Sequence, residues 1–135
     1  MDEAEVIEVQ VPVDPAYLAV LRTAAAGLAT RLRFTLGEIE DLRIAVDEAA
    51  AMLIAGGGKG PSGGGIAPGA EMTCRFDVTE ADVTVSVSVP GTGRLLGTDT
   101  IPWRVLNALT GTVSTRESES STTITLVKNR TDGND

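Results

Sequence analysis

An α+β domain is what this sequence predicts: a two-layer sandwich, with helices covering one face of a mixed, mostly antiparallel sheet. Two observations carry the prediction. Several segments alternate apolar and polar residues with a period of two, most clearly Val83, Val85, Val87 and Val89 against Thr84, Ser86 and Ser88, which is the pattern of a half-buried strand. Two longer stretches repeat apolar residues every three or four positions, the pattern of a helix with one buried stripe. Neither half of the chain holds enough strands to close a core alone, so residues 1–135 read as one domain.

The first strand spans residues 5–13, where Ile7, Val9, Val11 and Val13 alternate with mostly polar neighbours. Pro12 has no N–H for a ladder, which places it at a strand end or a sheet edge. Asp14-Pro15 then opens a helix. Aspartate suits an N-cap, and proline suits the first turn, where its missing N–H would have had no partner. The helix runs to about Leu32 with a stripe of Leu18, Leu21, Ala25, Leu28 and Leu32, and Arg22 lies beside that stripe, free to point outward. After a turn at Thr35-Leu36-Gly37, a second helix buries Ile39, Leu42, Ala45, Val46, Ala49 and Leu53 and ends near Ala55. Arg43 and Asp47 are spaced on it to pair with each other. Residues 56–69 contain eight glycines and read as a mobile loop within the domain, because glycine loses the most backbone entropy on ordering.

Strands resume with Met72, Cys74, Phe76 and Val78, turn at Glu80-Ala81-Asp82, and continue through 83–89. The valine face of that last strand is expected to pack on the helices, and its hydroxyl face to meet water or a partner. Residues 90–100 form a loop. Asp99 or Thr100 caps a short helix from Ile101 to Thr110, which Gly111 stops. Thr112–Arg116 and Thr122–Lys128 make a final hairpin around Glu117–Ser121, and the polar tail Asn129–Asp135 is expected to fray.

Composition narrows the chemistry. Aromatic residues are only 3% of the chain, so Val, Leu, Ile and Ala must build the core. A net charge of −8 repels phosphate backbones, so no nucleic-acid partner is expected, while a basic protein partner or simple solubility would account for the charge. With one cysteine, Cys74, and no histidine, an intramolecular disulfide, a Cys/His zinc site and histidine general-base catalysis are all ruled out. No apolar run approaches the roughly 20 residues that cross a bilayer, and the acidic start Met1-Asp2-Glu3-Ala4-Glu5 is unlike a signal peptide. No membrane association and a cytoplasmic location are therefore expected.

The segment Asp41-Leu-Arg-Ile-Ala-Val-Asp-Glu-Ala-Ala-Ala-Met-Leu-Ile54 resembles the signature helix of the RsbW/SpoIIAB anti-sigma kinases, members of the GHKL ATPase group with the Bergerat-type fold. The order of elements is similar along about residues 5–128, and Pro102-Trp-Arg-Val-Leu-Asn-Ala-Leu109 looks like the helix that follows the family's ATP lid. The resemblance implies roles. Glu48 matches the glutamate that activates a serine hydroxyl or a water, and here it is either a vestigial base or an ordinary helix glutamate. Met52 stands where the family uses asparagine to hold Mg²⁺. In Val89-Pro90-Gly91-Thr92-Gly93, Gly91 and Gly93 keep the glycines of the family's adenine-binding Asp-x-Gly-x-Gly motif, but Val89 replaces its aspartate. The family's phosphate-cradling turn has no clear counterpart in Thr98–Trp103.

Mg²⁺ takes oxygen ligands, and a thioether does not replace an amide oxygen. The family's cofactors, ATP and Mg²⁺, are therefore expected to be weakly held or absent, and no metal site is expected. Arg22 matches a first-helix arginine that contacts the sigma factor and the anti-anti-sigma protein in turn, with Leu18 and Ala25 beside it, unless it is simply a solvated surface arginine. Trp103 reads first as core packing. The resemblance thus implies an anti-sigma factor that sequesters an RNA polymerase sigma factor and is released by an STAS-domain antagonist, with a homodimer through sheet and first-helix surfaces. A serine kinase acting on that antagonist, and a module binding a different small ligand in the altered pocket, are the alternatives.

Overall fold

A computed structural model describes residues 5–56, 69–91, 101–118 and 120–130. Its elements follow the predicted order: β1 (Glu5–Pro12), α1 (Leu18–Arg31), α2 (Leu36–Gly56), β2 (Glu71–Val78), β3 (Asp82–Pro90), α3 (Ile101–Leu109), β4 (Thr112–Glu117) and β5 (Ser121–Asn129). The helix expected from Asp14 opens instead as a 3-10 turn, Pro15–Tyr17, with the Asp14 carboxylate accepting the Ala16 N–H at 2.8 Å, and becomes α-helical at Leu18. At the start of α2, Thr35 Oγ1 accepts the Glu38 N–H and the Glu38 carboxylate accepts the Thr35 N–H, at 3.1 and 2.8 Å. This reciprocal capping box satisfies two donors that the first helical turn would otherwise leave open.

The five strands form one sheet in the order β1-β2-β3-β5-β4. All four hydrogen-bonded pairings are antiparallel, where a mixed sheet was expected. The reason is topological. β3 and β4 do run in the same direction, as a connection through α3 allows, but β5 folds back from β4 and inserts between them. No parallel pair is thereby left in contact. β1 and β4 are the two edges, and Pro12 sits at the end of an edge strand, where no ladder donor is needed.

Alternation sorts the two faces of the sheet. Met72, Cys74, Phe76 and Val78 of β2, Val83 to Val89 of β3, and Ile124 and Leu126 of β5 are buried with Leu21, Ala25 and Ala29 of α1, Leu42, Val46, Ala49 and Leu53 of α2, and Trp103 and Leu106 of α3. The opposite face carries hydroxyls in register: Ser88 lies 2.8 Å from Thr123, and Ser86 lies 3.4 Å from Thr125. Arg75 on that face binds Asp77 at 3.0 Å and approaches Glu8 at 3.8 Å.

Two local expectations are corrected. Asn129 does not fray: it ends β5, and Arg130 continues the pairing through its N–H to Ala81 O at 2.8 Å and its guanidinium to Thr79 O at 2.6 Å. Arg43 does not pair with Asp47. It binds Glu40 one turn earlier, and Asp47 turns to α1. Gly56 belongs to the end of α2, and residues 57–68 of the glycine-rich segment and 131–135 of the tail lie outside the described residues.

Candidate functional site

Helix α2 has two working flanks, and neighbouring residues serve them. On the flank facing α1, Asp47 Oδ1 accepts from Arg22 Nη1 at 2.8 Å, across 25 residues of sequence. The two side chains are 33% and 37% exposed, so the pair sits at the rim of the helix–helix seam rather than inside it. Arg22 is therefore tied to α2, and not free as its place in the sequence suggested. Leu18 is partly buried against the core, and Ala25 is fully buried. Ala25 thus lies behind the α1 surface and supports it without reaching a partner; alanine is small enough to let α1 approach the layer beneath.

Glu48, the next residue, points about 100° away around the helix. Glu48 and Met52 stand four apart and Asp41 seven before Glu48, so the three share one stripe. Asp41 marks where that stripe faces. It lies 3.6 Å from Lys128 of β5, whose ammonium also donates to Leu109 O at the end of α3 at 3.0 Å. Lys128 thereby places a cation at the negative end of the α3 dipole and ties α3 to α2. Glu48 is half-buried, and Met52 is 7% exposed and belongs to the hydrophobic core. Among the described residues, no three histidine, cysteine, aspartate or glutamate side chains are grouped to hold a metal ion.

The third part of the site is the end of β3. Val89 is 1% exposed and pairs with Thr122 of β5, which is fully buried. Thr122 Oγ1 donates to Gly91 O at 3.0 Å, and the Gly91 N–H donates to Ser120 O at 2.8 Å. Gly91 has φ +97°, a left-handed conformation that glycine adopts without steric cost. Glycine is thus required at this corner by the backbone itself. Gly93 and Thr98–Thr100 lie outside the described residues, while Trp103 is buried in the core as its default reading expected.

Thr122 went unnoticed in the sequence. Its signal was the alternation Thr122, Ile124, Leu126, which puts one hydroxyl in an otherwise hydrocarbon row. Cys74 needs no role here. Burial pushes its thiol up to about 12 from the usual 9.0, so it stays protonated and unreactive at neutral pH. No helix among the described residues is long and apolar enough to cross a membrane.

Comparison with known proteins places this geometry in context. The chain is 36% identical over 90 residues to the serine-protein kinase RsbW of Bacillus subtilis (strain 168), which is 67% of this chain and 52% of that protein. It is 32% identical over 90 residues to the serine-protein kinase RsbW of Bacillus pumilus (strain SAFR-032), covering 67% and 53%. Over 43 residues, 32% of this chain and 27% of the other, identity to the RsbW of Bacillus velezensis rises to 44%. The match spans about half the length of the first two curated relatives. No family model matches.

Proposed function

Because the chain belongs to the family of the RsbW serine-protein kinases, we propose that it acts as an anti-sigma factor by partner switching. It holds an alternative RNA polymerase sigma factor on the α1 side of the domain, and an STAS-type anti-anti-sigma protein competes for the same surface and releases it. The role is cytoplasmic and needs no nucleic-acid contact, in keeping with a net charge of −8. A homodimer through the sheet and α1 surfaces belongs to the same reading.

The observation that carries the proposal is the chemistry of the α2 stripe. Glu48 is followed one turn later by a buried thioether, where an oxygen donor would be needed to hold Mg²⁺. At the end of β3, the Val89 side chain offers hydrocarbon where a polar contact to a base would be made. The residues present do not fit Mg·ATP, so the function rests on docking rather than phosphoryl transfer. Each lost polar contact is worth about 1–3 kcal/mol when desolvated.

One observation keeps a second reading, an active serine kinase phosphorylating the antagonist: Glu48 retains a half-buried position on the flank facing α3. Two experiments decide. The tagged chain should retain a sigma factor or an STAS-type protein from its native extract, and Arg22→Ala should reduce that retention; no retention of either class refutes the anti-sigma reading. Incubation with labelled ATP, Mg²⁺ and the antagonist should leave the antagonist unlabelled, and a labelled serine would establish the kinase instead.

A further inference from the structure

We propose that Asp47 is a positioning residue for Arg22, holding one corner of the guanidinium so that its remaining edge receives a carboxylate from an acidic segment of the protein partner. The inference rests on the reading above, that α1 is a docking surface, and adds which residue prepares it and what chemistry it accepts.

The guanidinium carries five N–H donors in a planar fork. Asp47 engages it through Nη1 at 2.8 Å, and among the described residues Asp47 is its only polar partner. Nε and Nη2 remain, and that edge is the one geometrically suited to bind a carboxylate through two parallel hydrogen bonds. At 37% exposure the side chain is within reach of another protein. A free arginine would lose much rotamer entropy when it docked; one already tied to α2 loses less, so the gain appears as affinity. Because Arg22 is already paired with Asp47 and Arg43 with Glu40, what receives a partner's carboxylate is the open two-donor edge of Arg22 and not a net positive charge.

The test is a double-mutant cycle, using the purified sigma factor recovered in the retention experiment, with affinities measured by calorimetry. Asp47→Asn should weaken binding about five- to tenfold, and Arg22→Ala at least as much. In the Arg22→Ala background, Asp47→Asn should change nothing. In the free protein, ¹⁵N relaxation of the Arg22 Nε–H should show loss of order in Asp47→Asn, with circular dichroism unchanged. Tighter binding by Asp47→Asn would make Asp47 a competitor of the partner. An equal loss in both backgrounds would make it a direct contact. Either result overturns the proposal, as does unchanged Arg22 order. If Arg22→Ala binds like wild type, or no sigma factor is recovered, the docking reading itself has failed. If Arg22→Ala weakens binding and Asp47→Asn does not, only the positioning role has failed.

Discussion

Arg22 of α1 and Asp47 of α2 are joined at 2.8 Å across the seam between the first two helices, one residue before Glu48 on the opposite flank of α2. One turn of one helix therefore meets both the α1 surface and the stripe that carries Glu48 and Met52. Because the pair is about one-third exposed on each side, solvent screens it.

The first prediction follows from that exposure. Arg22→Ala and Asp47→Ala should each lower stability by no more than about 1 kcal/mol in urea denaturation, as rim ion pairs do. A loss of several kcal/mol in either variant would mean that the pair holds the helix layer together, and would undercut its use in binding assays.

Stability should instead reside beneath the seam. Leu42 and Leu53 are fully buried on the sheet-facing stripe of α2. Replacing either by alanine should cost about 2–5 kcal/mol, combining lost transfer energy with a cavity that rigid neighbours cannot fill. Equilibrium unfolding measures this directly, and a cost below about 1 kcal/mol would contradict the packing described.

The corner after β3 depends on backbone freedom. Gly91→Ala must place a Cβ on a residue with φ +97°, and no neighbouring atom lies within 4 Å to clash, so any loss is conformational. A destabilisation of about 1–2 kcal/mol is expected. A neutral substitution would show that the corner relaxes out of the left-handed region.

Cys74 gives a pH signature. Its thiol is pushed from 9.0 to about 12 by burial, so the folded state holds a proton that the unfolded state releases above about pH 9. The stability tied to this group is fully present below pH 9 and declines as pH rises toward 12. Unfolding free energy measured from pH 8 to pH 11 should fall more steeply in the wild type than in Cys74→Ala, by up to about 1.4 kcal/mol per pH unit. The native thiol should also resist alkylation at pH 8; rapid modification without unfolding would contradict its burial.

Much of the fold was legible because its signals are periodic. The valine–hydroxyl alternation of β3 and the stripes of α1 and α2 depend only on which face is buried, and short-range spacing encodes that. The insertion of β5 between β3 and β4 was not legible, since strand order depends on contacts distant in the chain. Asp47 misled for a related reason. Arg43 offered a partner four residues away, but which flank of α2 meets α1 is set by packing, and packing turned Asp47 to Arg22. At the site, Met52 and Val89 were singled out only by the resemblance to the family's motifs, whereas Thr122 emerged only when register placed it opposite Val89.

The measurement closest to the central claim is a calorimetric titration of the full chain with Mg·ATP, run beside the Bacillus subtilis relative named serine-protein kinase RsbW. Two missing polar contacts, at about 1–3 kcal/mol each, predict an affinity lower than that relative's by roughly 30-fold to 20,000-fold. Equal affinity in the two proteins would contradict the account, because it would mean that Met52 and Val89 do not impair nucleotide binding and that the domain still works as an ATP-dependent enzyme.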